Sequence, residues 1–386
     1  MLYRLLSISL LLIGSGLFNT FVALRLEMEG YPPESVGALT AALYGGILVG
    51  SWRGGQWVQR VGHLRSFAIL AFFLGVLVMV QALWVHAWFW GAMRFLGGMC
   101  IAGITIVIES WLMMRTNSNR RGVALSLYLI SSYIAISCGQ LLFSFVPTTT
   151  LLPYSITAFL MFASIISLAF WEQEADVVLP TKIGTPVSVP KVGLFGSALG
   201  GTTLASIYGL IPLYAKQVGL PVPHIGYLMA VILFGGLCLQ FPVGYWSDRV
   251  NRRLLLVAVS VSLATCGLIT AHLGGSSFQT LSIPLWFFGG FACTLYPISL
   301  AYSCESMGKE QVVTATGKLL LSFGLGAITG PLIAPLAMRL CGPCGLFYFI
   351  AGAALLFSFF AMSQKQAAPT PAPQPVPIEV PEDDRK

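Results

Sequence analysis

The sequence predicts an all-α integral membrane protein: twelve transmembrane helices in two pseudo-symmetric six-helix bundles. Three observations predict it. First, 56% of the 386 residues are hydrophobic and only 9% are Asp, Glu, Lys or Arg, against about 25% charged residues in a soluble protein. Second, apolar runs such as Ser66 to Val85 and Gly345 to Met362 are unbroken over helix length, which suits a hydrocarbon core of about 30 Å. They lack the alternation of barrel strands of about ten residues. Third, the two halves repeat. At a shift of 189 positions Gly30 meets Gly219, Pro32 meets Pro221, Gly37 meets Gly226, Gly46 meets Gly235, Gly55 meets Gly244, Trp57 meets Trp246, Arg60 meets Arg249 and Val61 meets Val250. Apolar helices matched by chance would pair Leu with Leu, not Gly, Pro, Trp and Arg in one register. Parallel repeats of this kind place a binding site between the halves near the bilayer midplane.

Taken in order, the apolar runs place helices at roughly 5–26, 35–57, 66–85, 88–112, 121–145 and 151–171, then 193–215, 224–246, 253–272, 279–304, 314–339 and 344–363. Residues 1–171 form the first bundle and 193–363 the second. Between them, 172–192 is a polar, Pro-containing central loop, and 364–386 is a Pro-rich, acidic-ended tail that reads as extended and disordered. The start reads as helix 1, not as a cleavable leader, because its apolar run is full length and no small-residue cleavage site follows a short one.

The net charge of +7 is a membrane signal and not a nucleic-acid patch. On a twelve-helix path, one side collects only Arg25, Lys216 and Arg339, and Arg53 and Arg94 fall inside spans. Every other Lys and Arg falls on the opposite side. The positive-inside rule makes that side cytoplasmic, with both termini and the central loop. The cysteines are mostly single and apolar in context, apart from Cys341-Gly-Pro-Cys344. Without a βαβ pattern around it, that pair reads as a plain helix turn or a small external disulfide and not as a redox centre.

The strongest motif joins helices 8 and 9: Gly244-Tyr245-Trp246-Ser247-Asp248-Arg249-Val250-Asn251-Arg252-Arg253. Its copy between helices 2 and 3 keeps Gly55 and Arg60 but has Gln59 in the acidic place. Both closely resemble the loop signature of the major facilitator superfamily, G-x-x-x-D-R-x-G-R-R, with Asn251 replacing a glycine. Helix 4 carries Arg94-Phe95-Leu96-Gly97-Gly98, similar to that superfamily's R-x-x-Q-G motif. Segments such as Leu17-Phe18-Asn19-Thr20, Ser206 to Tyr214, Thr294-Leu295-Tyr296-Pro297 and Ile108-Glu109-Ser110 resemble the YcaD-like branch of its bacterial members, over nearly the whole chain except the tail. The resemblance implies the facilitator fold and alternating access. It also implies that Asp248 faces the start of helix 5 around Arg120, Arg121 and Gly122, closing a cytoplasmic gate. Gln59 would face the start of helix 11 as a weaker, neutral lock. The plainer reading is a solvated turn that orients insertion. Glycines at Gly55 and Gly244 would keep the turns tight, and a carboxylate there pairs with arginines and a helix N-terminus.

Polar groups inside spans are costly and turn inward. The cavity candidates are Asn19, Tyr44, Arg94, Tyr128, Tyr133, Gln140, Tyr208, Tyr214, Gln240 and Tyr296. Each also fits as interhelical glue, and Arg94 also fits as an arginine snorkelling to the external interface. Glu109 and Glu305 are candidates for carrying a coupling proton, or for structural ties to loop arginines. Helix 5 lacks the Gly-Pro of the antiporter signature and has Gly139-Gln140, while Gly326 to Gly330-Pro331 lies in helix 11.

The expected function is secondary active transport of a small organic solute across the bacterial inner membrane, coupled to protons, in either direction. The chain is expected to act as a monomer within the lipid bilayer, with no cofactor, metal, nucleic-acid partner or ATP-binding loop. Four scattered His residues and no acid–base cluster argue against an enzyme. The alternative is a facilitator-like sensor or assembly factor that does not transport.

Overall fold

The computed structural model describes residues 2–115, 121–166, 188–274, 277–305, 307 and 309–364. The central loop up to residue 187 and the tail beyond Gln364 lie outside them. The described residues form twelve α-helices: α1 Leu2–Met28, α2 Pro33–Val61, α3 His63–Gln81, α4 Ala87–Arg115, α5 Arg121–Phe143, α6 Leu152–Ile166, α7 Lys191–Gln217, α8 Val222–Ser247, α9 Arg252–Leu273, α10 Phe278–Cys304, α11 Lys309–Cys341 and α12 Gly345–Ser363. Ten of them are long and apolar enough to cross a bilayer, and α5 and α6 contribute shorter apolar stretches, Leu127–Phe143 and Leu152–Ile166.

Local chemistry sets the helix ends. Prolines stand at the starts of α2, α7 and α8, where a missing N–H costs nothing. Asn251 caps α9, its side chain accepting from the backbone N–H groups of Arg253 and Leu254 at 3.0 and 3.3 Å. Helix α3 stops at Gln81, four residues before the expected Val85, because the Trp90 indole N–H reaches back to the carbonyls of Gln81 and Trp84, both at 3.0 Å. Those contacts satisfy carbonyls a helix end leaves open.

Within each half the same helix pairs pack. Helices α2 and α4 meet as α8 and α10 do, and α1 and α5 pack as α7 and α11 do. The repeat is visible in the backbone: Gly30 and Gly219 close the turns before α2 and α8 at φ +80° and +86°. Between α7 and α11, Ser197 and Thr202 donate to the carbonyls of Leu319 and Gly326 at 2.7 and 3.1 Å, and Ser322 donates back to Leu194 at 2.8 Å. Small residues and hydroxyls thus hold two apolar helices close without a hydrophobic driving force.

The chain starts α1 and ends α12 on one face, here the terminal face; the other is the far face. The halves meet through α2 with α11, α5 with α8, and α1 and α2 with α7. Several of these contacts lie toward the far face. Gly37 lies against the Pro331 carbonyl, Gly226 against the Gln140 carbonyl and Ser144, and Gly209 against Thr40. At the rim, Arg339 of α11 lies 4.0 Å from Glu34 of α2.

Candidate functional site

Along the plane between the halves runs a file of polar side chains in an otherwise apolar interior. Its far end is Arg94 on α4. The side chain is only 8% exposed, so it points into the protein and does not snorkel to an interface. Its Nη2 donates to Asn19 Oδ1 of α1 at 2.6 Å, and the guanidinium lies 5.8 Å from the Phe18 ring centroid. Two narrow pockets adjoin the guanidinium. One lies inside the first bundle, reaching Gln81 and Met161; the other lies between the halves, bounded by Thr40, Tyr44 and, from α7, Tyr208 and Gly209. Arg94 and Tyr44 interact electrostatically.

The middle of the file crosses the halves. Tyr208 of α7 interacts with Tyr44 of α2 and with Tyr133 of α5, and both Tyr208 and Tyr133 interact with the thiol of Cys293 on α10. Nearby, Thr20 of α1 donates to Gln140 Oε1 of α5 at 2.5 Å, and both side chains are fully buried. Gln140 therefore ties two helices of one bundle, while its backbone carbonyl meets Gly226 of the other.

The near end is Glu109, about 22 Å along α4 from Arg94 at 1.5 Å per residue. It is exposed although it lies within the helix. It lies within electrostatic reach of Tyr128 in α5 and Tyr296 in α10, one from each half. Glu109 thus lies toward the terminal end of α4, near side chains of both halves. Tyr296 packs edge-on against Phe323, with centroids 5.4 Å apart. Gln240 is half-buried near the terminal end of α8. Tyr214 stands apart: it is wholly buried, edge-on against Phe347 of α12 at 4.8 Å, inside the second bundle and not in the file.

The loop motifs occupy the terminal face. Arg252 bridges two carboxylates, with Nη2 3.0 Å from Asp248 and Nη1 3.5 Å from Glu305. Glu305 is therefore tied to the 8–9 loop at the end of α10, outside the polar file. Asp248 is largely exposed and its partner is in its own half. Of its expected partners, Arg120 and the side chain of Arg121 lie outside the described residues. Arg253 donates to the carbonyls of Ala361 and Met362, both at 2.6 Å, capping the end of α12. Arg249 stacks on Tyr245 at 3.8 Å. Gln59 and Arg60 are exposed.

The expected role of Gly55 and Gly244 in tight turns is corrected. Both lie inside helices, and a Cβ at either would meet open space. The first turn is made at Gly62, with φ +91°, and the second by the Asn251 cap. Cys341 and Cys344 are free thiols, and the segment is a turn at Gly342, φ +71°.

Sequence reasoning missed four participants. Cys293 and Thr20 look like ordinary small core residues until the fold places them beside Tyr133 and Gln140. Phe18 stands out only as part of the Leu17-Phe18-Asn19-Thr20 segment, with no role of its own. His63 hydrogen-bonds Ser110 at 3.0 Å, tying the 2–3 loop to the end of α4. The repeat carried that last signal, since a shift of 189 sets His63 on Arg252.

Two helix bundles built on one repeat and meeting across a polar file define a transporter-type membrane protein. The comparisons agree. The model of the Major Facilitator Superfamily matches residues 192–382. The YcaD protein of Escherichia fergusonii, named as an uncharacterized MFS-type transporter, is 31% identical over 355 residues, covering 90% of this chain and 91% of that one. Among solved structures, the nucleoside transporter NupG superposes with a TM-score of 0.75 at 13% identity, covering 94% of this chain and 98% of that one. A D-xylose–proton symporter gives 0.72 at 12% identity, covering 94% and 97%. The chain belongs to the major facilitator superfamily and is a multi-pass membrane transporter of that type, with YcaD-like relatives.

Proposed function

We propose that this chain is a secondary active transporter that moves a small organic solute across the bacterial inner membrane by alternating access, with protons as the coupling ion. The terminal face is cytoplasmic on this reading, because Lys and Arg crowd its loops. The bundles 1–171 and 193–363 rock about the polar file, and one chain suffices.

One observation carries the reading. The file runs from Glu109, exposed toward the terminal end of α4, to Arg94, buried beside the pocket between the halves. Side chains of both halves contribute to it, so a solute held there is touched by both, and its binding energy can bias their relative position. A carboxylate within a spanning helix is the group that would take up a proton.

The test needs no known cargo. Spin labels are placed in pairs across the halves, on loops of the terminal face and of the far face, in the protein in lipid nanodiscs. Two distance populations are expected at each face, with the far-face distance lengthening as the terminal-face distance shortens. A single fixed distance at both faces would overturn alternating access and favour a non-transporting role.

A further inference from the structure

Among the described residues the Arg94 guanidinium has no counter-ion. Among the described residues, only its Nη2 has a hydrogen-bond partner, and that partner is the neutral Asn19 side chain. The buried Nε has none. No described carboxylate lies within ion-pair distance of it, and the inter-half pocket beside it has no acidic wall. Its other surroundings are neutral: the Phe18 ring, Thr40, Tyr44 and Tyr208 toward the other half, and Ser15, Gln81 and apolar side chains inside the first bundle.

A charge withdrawn from water and left unpaired costs several kcal/mol, about as much as a broken buried ion pair. Structural glue between α1 and α4 needs no charge, since a glutamine could bond Asn19. A guanidinium does what a glutamine cannot: it offers several N–H donors and a full positive charge that together match a carboxylate. The same charge repels a cationic solute. Resting on the transport reading above, we propose that the cargo is a small organic monocarboxylate, and that its carboxylate seats on the Arg94 N–H groups that Asn19 leaves open. The hydroxyls of Tyr44 and Tyr208 stand beside the bound anion, and its carbon skeleton lies among the apolar walls between α1, α2 and α7. The anion supplies the missing countercharge, so the half-interface is best formed when cargo is present.

The test is a thermal-shift screen of the purified full-length protein with matched solutes: benzoate and benzamide, lactate and lactamide, nicotinate and nicotinamide, and benzylamine as the cation. Acids are expected to raise the melting temperature and their amides to leave it unchanged. Arg94→Gln should weaken the apparent affinity for the stabilising acid by about thirtyfold or more. Arg94→Lys keeps the charge and guards against a folding defect; it should retain the preference for acid over amide with weaker binding. A purely structural Arg94 would lower the melting temperature of the variants without changing that preference. Stabilisation by amides or by the amine, an acid response that survives in Arg94→Gln, or no response to any acid would each overturn the proposal. None of these outcomes bears on the spin-label distances, which test the transport reading separately.

Discussion

Gly46 and Gly235 stand 189 positions apart and do the same work in the two halves. A Cβ on Gly46 would overlap the carbonyl oxygen of Phe95 on α4, and one on Gly235 would overlap that of Trp286 on α10. Both glycines are buried. The α2–α4 and α8–α10 backbones are thus in direct contact, which only the absence of a side chain allows. Gly46→Ala and Gly235→Ala gain up to about 1 kcal/mol of helix propensity but force two backbones apart. Overpacking of about 1–3 kcal/mol should win, so both variants should melt at lower temperature in detergent. Gly55→Ala and Gly244→Ala, which face open space, should leave the melting temperature level or raise it. A matching loss in all four would show that these contacts are not what selects glycine.

Asp248 tests the gate. Its carboxylate lies 3.0 Å from Arg252 one turn away and is largely exposed, so the pair contributes no more than about 1 kcal/mol. Asp248→Asn should therefore barely change thermal stability. If the aspartate latches to the start of α5 in the other conformation, the same variant should depopulate that conformation and raise labelling of single cysteines placed between the halves toward the terminal face. Unchanged labelling would leave Asp248 as a turn residue only.

The opposite rim gives the complementary expectation. Glu34 and Arg339 face each other across the halves at 4.0 Å, with the arginine 77% exposed. An exposed pair at that distance is worth about 0–1 kcal/mol and weakens with salt. Glu34→Gln should shift the far-face distance distribution toward open by up to about fivefold in population, and raising the salt concentration should do the same to the unmodified protein. A salt-independent distribution would assign closure of this face to the Gly37 and Gly226 packing instead.

Much of this architecture was legible because lipid imposes length and charge rules on sequence. Helix number followed from apolar run length, and the pseudo-symmetry from glycines that recur because the backbones they separate recur. Helix α3 ended early because the Trp90 indole reaches back from the next helix, which no local pattern announces. The site was half legible. Arg94, Asn19, Tyr44 and Tyr208 stood out as polar groups in apolar runs, and the fold brings them together. Tyr214 stood out for the same reason and packs against Phe347, because a tyrosine ring buries as readily as a phenylalanine and periodicity does not say toward what. Cys293 was unreadable, since its part in the file comes from neighbours on other helices. Glu109 and Glu305 looked equivalent in sequence, and only the position of Arg252 separates them.

That separation yields the sharpest expectation. Glu305 is held 3.5 Å from Arg252, outside the file, so its negative charge has a partner and protonation would break an ion pair. Glu109 lies within electrostatic reach of the Tyr128 and Tyr296 hydroxyls, and a phenol can donate to a carboxylate or accept from a carboxylic acid. On the coupling reading proposed above, the proton-carrying role therefore falls to Glu109 and not to Glu305. Glu109→Gln mimics the protonated form, so its spin-label distances should stop responding as pH is moved between about 5 and 8, and solute uptake driven by a pH gradient should vanish while solute exchange persists. Glu305→Gln should keep both responses, with at most a small loss of stability from the exposed pair. A pH response that survives in Glu109→Gln and disappears in Glu305→Gln would transfer the coupling role to the loop carboxylate; survival in both would remove carboxylate coupling at these positions altogether.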